Sequence, residues 1–479
     1  MLEQLLGTYV PDLGGALWLG LVVALLLFGD SSRIVGPRNL AILGLLASAP
    51  FLNDIGRWSY EKHPGIAPWW WTAIFLITAG HAVWGAALAR RERTSWTPNV
   101  KRTLVATGAA LLVLMNVLVA LAKDPEDAGR YVNMGAQRWL ETGILPYADP
   151  QLQGPTSPGF GAATTYGPLL YLSHVPPLLV LKRPYNPPDV VVRKGSYQRP
   201  PDLATKLVTI AFHLAGLAAL FSVTRRLAGV EPGLGAVALY ACMPYLAGLD
   251  AGNGSIAGVR FISHLAPSAV LLLALATTAR PFLSGTLFAA SAGTLFFPVF
   301  MFPAWLAWRI WRRDRPARFA AGVAVGGAAI LALVVAFTPA SSIWESIALF
   351  ARSIIEHQEG TGPRQYGAST FGFWGTHPGL ASFWHAPLVG SSPFANPVFL
   401  LLVIGCFAAC WWTRRGGLVA LAGVTAAIGA GIQLWKTHGG GTYIEWYLPF
   451  LILALIAGRD PSPEPAGAGA GASSAVKPA

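Results

Sequence analysis

Three carboxylates, Asp124, Glu126 and Asp127, follow an apolar run that closes at Ala122. An acid held where a bilayer meets water is costly to keep there, and such residues usually serve a function. The chemistry they offer is general-base catalysis, in which a carboxylate takes the proton of a hydroxyl as that hydroxyl forms its new bond. Asp127 has a second reading. Asp124 suits a helix N-cap, Pro125 the first helical position and Asp127 the third, where a capping-box acid belongs. An anionic leaving group would in turn need cations or hydrogen-bond donors. Arg260, His264, Lys436 and His438 fall at expected outer helix ends, the depth of a lipid phosphate. Each would equally snorkel to the phosphates of ordinary lipids. The Gly439-Gly440-Gly441 run before Tyr443 would let backbone approach a phosphate or simply turn the chain.

Other chemistry finds less support. Glu356, His357 and Glu359, or His377 and His385, lack a spacing that commits metal ligands to one face, so they read as solvated loop residues. No metal site is assigned and no cofactor is expected, a divalent metal being left open. Cys406 and Cys410 lie one helical turn apart with no further ligand, and packing accounts for them. No phosphate-cradling glycine loop or nucleophile elbow speaks for cytosolic nucleotide or acyl chemistry.

The elements that must position these residues are membrane helices. The chain is 54% hydrophobic and only 12% charged, and many of its apolar runs approach the ~20 residues that span a bilayer. In lipid every backbone polar group must be satisfied internally, and runs of this length choose helices over strands. The net charge of +12 sits in short loops between apolar runs, which is an orientation signal rather than a nucleic-acid surface. The opening Met-Leu-Glu-Gln has neither the basic region nor the cleavage site of a removable signal.

The stretch from Lys123 to Tyr171 resembles the signature of the GT-C superfamily, integral-membrane glycosyltransferases that use polyprenyl-phosphate sugars. In that signature the first large outer loop runs from an acid to a tyrosine four residues on. A short helix, a glycine, Pro-Tyr and a Tyr-x-Pro lead into the next segment. The matching positions are Asp127, Tyr131, Gly143, Pro146-Tyr147 and Tyr166-Gly167-Pro168. The chain departs from the commonest arrangement, in which this loop follows the first membrane helix. The resemblance implies an inverting, mannosyltransferase-like enzyme with Asp127 as base, and Asp124 and Glu126 as substitutes if the helix is rotated. Substrate contacts are then expected from Tyr131, Arg138, Tyr147, Tyr166, Arg260, His264, Lys436, His438 and Tyr443. Tyr131 and Arg138 share a helix face with Asp127.

Taken in order, apolar runs at 14–28 and 38–52 precede a Trp69-Trp70-Trp71 cluster suited to the headgroup belt. The basic loop Arg90, Arg91, Arg93, Lys101 and Arg102 marks the cytoplasm, so a helix at 103–122 runs outward and sets Asp127 outside. An amphipathic helix is expected at 127–141. The proline-rich stretch 166–202 predicts juxtamembrane half-helices, the alternative being a fifth span with 182–202 cytoplasmic. Helices at 203–224, 233–249 and 265–279 follow, with Asp250, Arg260 and His264 outside. The run 283–308 reads as a bent hairpin of short helices. Helix 319–337 leads to the second outer loop, and helices at 395–412, 417–435 and 442–458 close the membrane part.

The expectation is an all-α polytopic protein of about 11–13 transmembrane helices. A single membrane domain would cover 1–459, with N-terminal helices in 1–102, a catalytic outer loop at 123–202 and a second at 339–392. Residues 460–479 read as a disordered cytoplasmic tail. Expected partners are the lipid bilayer, a polyprenyl-phosphate sugar donor and a glycan, glycolipid or protein acceptor, with no nucleic acid. The site would face away from the cytoplasm across the cell membrane. The rival is a multi-pass transporter or lipid flippase without chemistry.

Overall fold

The computed structural model describes residues 98–122, 125, 127–148, 164–181, 202–243, 246, 259, 261–359, 395–435 and 443–457. The apolar runs before residue 98, the tail from 460 and most of the second outer loop lie outside them. All regular structure among the described residues is helical. Helix α1 (Pro98–Ala122) is followed by α2 (Asp127–Thr142) and a 3-10 turn, Pro146–Ala148. Next come α3 (Pro168–Leu181), α4 (Asp202–Ala228), α5 (Val230–Ala241) and α6 (Ile262–Ala276). Helix α7 (Pro281–Thr294) joins α8 (Phe302–Trp311) through a 3-10 turn, Phe297–Met301, which is the bent pair of short helices expected there. The chain continues through α9 (Pro316–Phe337), α10 (Ile343–Glu359), α11 (Ala395–Trp412) and α12 (Leu418–Trp435). It closes on a 3-10 turn, Ile444–Trp446, and α13 (Leu448–Ala457).

Two of these helices, over 203–228 and 316–337, are long and apolar enough to cross a membrane. Their neighbours show where apolar surface goes. Helix α13 is hydrophobic all round and buried everywhere except Leu455, so it lies inside the bundle. On α11, by contrast, Leu400, Leu401, Ile404, Phe407 and Trp411 are exposed. A large core joins α13 to α5, α6, α8 and α12 around Trp305, Phe297 and Trp446. A smaller one lies under α2, built from Val132, Ala136, Trp139, Tyr147, Leu170, Tyr171, Ile262 and Ala266.

Helices α7 and α9 pack with their backbones in contact. Gly285 on α7 lies against the backbone of Phe319 and Val323, while Gly322 and Gly326 on α9 lie against Phe282, Thr286 and Ala289, the small-residue pattern by which helices approach closely without a hydrophobic drive from water. A Cβ on Gly285 would strike the carbonyl of Phe319, and one on Gly322 the carbonyl of Phe282. Backbone cannot rotate away from such a clash. Between α8 and α9, the guanidinium of Arg309 donates to Thr278 O at 2.8 Å and pairs with Asp314, which lets an almost fully buried arginine close the turn.

Four expectations need correction. The 166–202 stretch begins with one helix, α3, that runs through Pro176 and Pro177 instead of breaking there. Its buried face of Leu170, Tyr171, His174 and Leu178 outweighs the donors those prolines lack. Helix α5 stops at Ala241, well short of 249, and α13 is preceded by a 3-10 turn where a continuous helix from 442 was expected. The stretch read from the sequence as a second outer loop opens with a 17-residue helix, α10, so Glu356, His357 and Glu359 are helical residues rather than loop ones. Its start carries its own signal: Glu345 N donates to Ser342 Oγ at 3.2 Å, and Ser341 N donates to the Glu345 carboxylate at 2.7 Å. His264 lies in the first turn of α6, at a helix end as expected.

The α7–α9 contact yields a prediction. Gly322→Leu or Gly285→Val should destabilise the detergent-purified protein by about 1–3 kcal/mol or prevent its recovery. Gly327→Ala, where an added Cβ meets nothing within 4 Å, should leave the melting temperature unchanged or slightly higher. Equal behaviour of the three variants in a thermal melt would contradict the packing argument.

Candidate functional site

Helix α2 begins at Asp127, so this acid is the first helical residue and not the third, and Pro125 stands ahead of the helix instead of opening it. The capping-box arrangement read for Asp124, Pro125 and Asp127 is therefore not the observed start. Asp124 and Glu126 lie outside the described residues. The backbone on either side of the acids is held from α4: Lys206 Nζ donates to Leu121 O at 2.8 Å, and Thr205 Oγ1 donates to Gly129 O at 3.3 Å. Lys206 is buried, so a cation stands against the end of α1 where the acidic segment begins. Tyr131 and Arg138 on α2 are both half-buried.

The helix ends as the sequence indicates. Gly143 adopts a φ of 70°, and its N–H donates to Trp139 O at 2.8 Å, a glycine C-terminal stop. The chain then turns into the bundle. Leu145 N donates to Phe337 O at 2.6 Å, and Tyr147 is fully buried with its ring edge-on to Tyr171 (6.0 Å) and to Phe350 of α10 (4.9 Å). The Tyr147 hydroxyl donates to Tyr166 O at 2.6 Å, and Tyr166 N donates to the Tyr171 hydroxyl at 3.3 Å. Burial pushes the Tyr147 phenol well above its ordinary value, which keeps it a neutral donor. Gly167 N donates to Thr294 O at 3.1 Å, and a Cβ at this glycine would overlap the carbonyl of Gly293. Tyr147 and Tyr166 are thus brought together, and their observed work is to close the loop and dock it on α7.

A second cluster forms at the start of α6. The His264 ring stacks on Phe261 (4.6 Å between centroids, 12° between planes) and meets Tyr443 edge-on at 4.7 Å. Its Nδ1 lies 3.4 Å from Glu445 Oε2. Trp446 stacks on Tyr443 and on Phe297, each at 4.1 Å, and its indole N–H donates to Ser263 O at 3.2 Å. Glu445 is fully buried in the turn between α12 and α13, and among the described residues neither carboxyl oxygen accepts a hydrogen bond. Burial therefore holds the Glu445 carboxyl well above the usual carboxylate range. Two expected substrate residues, His264 and Tyr443, are brought together here. Arg260, Lys436 and His438 lie outside the described residues.

The two clusters share α6. Ile262 and Ala266, one turn apart, belong to the core under α2, while Ser263 and His264 face the 444–446 turn. What this arrangement offers chemically is a set of neutral phenols and one imidazole–carboxyl pair, beside a helix that starts with an acid. No group of three metal-ligating side chains occurs among the described residues.

Sequence reasoning overlooked Lys206 and Glu445 as site residues. Both carried a signal: each is an ionisable residue bordered by apolar ones, where a charge is tolerated only with a partner. The loop closure makes a testable distinction. Tyr147→Phe should cost about 1 kcal/mol locally and speed amide exchange over 164–171 roughly fivefold. Gly167→Ala should accelerate the same amides more, because it forces the corner off α7. Unchanged exchange in both variants would mean that the corner is held by other contacts. Set beside family models, curated proteins and solved structures, the chain matches none of them.

Proposed function

We propose that this chain is a multi-pass membrane glycosyltransferase that moves a monosaccharide from a polyprenyl-phosphate donor to a glycan, glycolipid or protein acceptor. The observation that carries the reading is the closure of the first loop. Two residues that bear the GT-C resemblance, 19 positions apart in sequence, meet in space, Tyr147 donating to Tyr166 O beside Gly167, and Gly143 ends the helix that Asp127 begins. Such convergence is what a built loop needs and what a chance pattern of short motifs does not require.

In this reading the acceptor hydroxyl attacks the anomeric carbon as the bond from that carbon to the phosphate oxygen breaks. The electron pair leaves with the polyprenyl phosphate, the hydroxyl proton passes to a carboxylate, and the anomeric configuration inverts. Asp127 is the base, with Asp124 and Glu126 as its substitutes. Donors at the outer helix ends, His264 among them, face the phosphate. About 11–13 membrane helices hold the site on the outer side and the C-terminal tail in the cytoplasm. The basic ends of α4 and α8, with Arg225, Arg226, Arg309, Arg312 and Arg313, support that orientation.

One observation favours the transporter or flippase instead. Within apolar helices, Asn116 of α1 donates to Ala241 O at 3.2 Å and lies 3.3 Å from His213 Nε2 of α4, both side chains buried. Polar residues at such depth commonly mark a pathway.

The test is transfer of labelled sugar from a panel of polyprenyl-phosphate sugars, in membranes carrying wild type, Asp127→Asn or Asp124→Asn. Transfer by wild type and a loss of roughly 100-fold or more in Asp127→Asn are expected, with donor binding retained. Full activity in Asp127→Asn would remove Asp127 as the base. Absence of transfer from every donor, together with lipid or solute movement that His213→Ala abolishes, would replace the enzyme with the transporter.

A further inference from the structure

Where the end of α8 meets the end of α11, arginines are stacked on tryptophans. The Arg414 guanidinium carbon lies 4.8 Å from the centre of the Trp411 ring and 5.3 Å from that of Trp311. Arg312 stands 5.4 Å over Trp308, one turn before Trp311 on α8. Hydrogen bonds fix two of the rings: the Trp311 indole N–H donates to Cys410 O at 3.2 Å, and that of Trp308 to Gly417 O at 3.2 Å. Even so, Trp311, Trp411 and both arginines are exposed. A guanidinium stacked on an aromatic face keeps its in-plane N–H donors free, and that planar fork matches two oxygens of a phosphate.

The surroundings favour an anion. Asp314 is the single acid within 277–318 and 395–417, and it is committed to the buried Arg309: the two side chains pair, and Asp314 N donates to Arg309 O at 3.0 Å. Its neighbours Arg313 and Arg315 take φ values of 53° and 46°, a left-handed backbone that side chains other than glycine adopt at a steric cost. The turn thus engages its one carboxylate and leaves Arg312, Arg313 and Arg315 exposed. Along α11, Leu400, Ile404, Phe407 and Trp411 are exposed too, spaced as one helix face that continues to Arg414. From Leu400 to Trp411 this stripe measures ~16 Å at the rise of an α-helix, against ~15 Å of hydrocarbon in one bilayer leaflet. A soluble anion makes no use of such a stripe, whereas a phosphate carried on long acyl chains fits both parts.

We propose that Arg414, with Trp411, Trp311 and Arg312, forms a headgroup site for an anionic phospholipid, whose phosphate sits on the Arg414 fork and whose acyl chains lie along the α11 stripe. The site is separate from the sugar chemistry proposed above and requires only that α11 lies in a bilayer. It differs from the general attraction of a basic surface for lipid because geometry matters: a lysine carries the same charge but lacks the planar fork. Arg225 supplies the comparison. It is an exposed cation on α4, next to Arg226, which donates to Ala276 O at 2.6 Å near the carbonyl that Arg309 engages. Arg225 therefore belongs to the same end of the bundle and stands outside the stack.

The experiment is native mass spectrometry of the full-length, detergent-purified protein titrated with dioleoyl phosphatidylglycerol, dioleoyl phosphatidylcholine or inorganic phosphate. Wild type should take its first phosphatidylglycerol about tenfold more tightly than phosphatidylcholine. Arg414→Gln should weaken that first step about tenfold, Arg414→Lys by nearly as much, and Arg225→Gln by less than about twofold. Trp411→Leu keeps every charge and should still weaken it about threefold, because the stack is lost. Equal losses in Arg414→Gln and Arg225→Gln, or full binding by Arg414→Lys, would overturn the site and leave only a basic surface. Equal affinity of wild type for the two lipids would overturn it as well. Displacement of phosphatidylglycerol by an equal concentration of inorganic phosphate would make this a soluble-anion site and remove the lipid assignment.

Discussion

The indole N–H of Trp446 donates to the carbonyl of Ser263 across 3.2 Å, and through that bond the last loop of the chain is tied to the first turn of α6. Trp446 is fully buried and sandwiched by Tyr443 and Phe297, so its ring cannot move without opening the centre of the bundle. From the same turn of α6, Ile262 and Ala266 reach into the core beneath α2. The helix that starts at Asp127 and the turn that carries Glu445 are therefore positioned against one support. A shift of α6 would disturb both clusters together.

The physical problem solved throughout is how to keep polar groups inside apolar helices. Lys206 delivers its ammonium to a carbonyl at the end of α1, Arg309 pairs with Asp314 while bonding Thr278, and Ser291 caps an inter-helix contact by donating to Pro267 O. Each case satisfies a buried donor with backbone oxygen, the acceptor most plentiful near helix ends. Glu445 is the exception, a buried acceptor-rich group whose carboxyl oxygens accept no hydrogen bond among the described residues, the His264 imidazole lying 3.4 Å away. A site of this kind is retained at a cost in stability, and functional groups are where proteins tolerate such a cost.

Close packing does the remaining structural work. Glycines at 285, 322 and 326 let α7 and α9 touch along their backbones, and Gly167 lets the loop corner sit directly on the carbonyl end of α7. The loop therefore rests on a pair of helices that cannot slide apart easily. Tyr147, through its hydrogen bond to Tyr166 O and its ring contacts with Tyr171 and Phe350, completes the attachment from the other side.

Much of this was legible in the amino-acid order. Apolar runs marked α1, α9, α11 and α12 because burial of backbone in an apolar setting demands long helices, and the amphipathic pattern after Asp127 located α2 up to the glycine that stops it. The Phe297-Pro298 break showed α7 and α8 as separate short helices because proline ends a helix wherever packing does not compensate. Packing did compensate at Pro176-Pro177, and no local rule predicts that, since the buried face that decides it belongs to other helices. The partners of His264 were equally out of reach. Tyr443 and Glu445 lie far along the chain, and only the way α13 fits into the bundle sets them against α6. Local spacing thus determined which segments are helices and where most of them stop. Tertiary packing alone decided which ionisable residues meet, because long-range contact follows from how whole helices share a core.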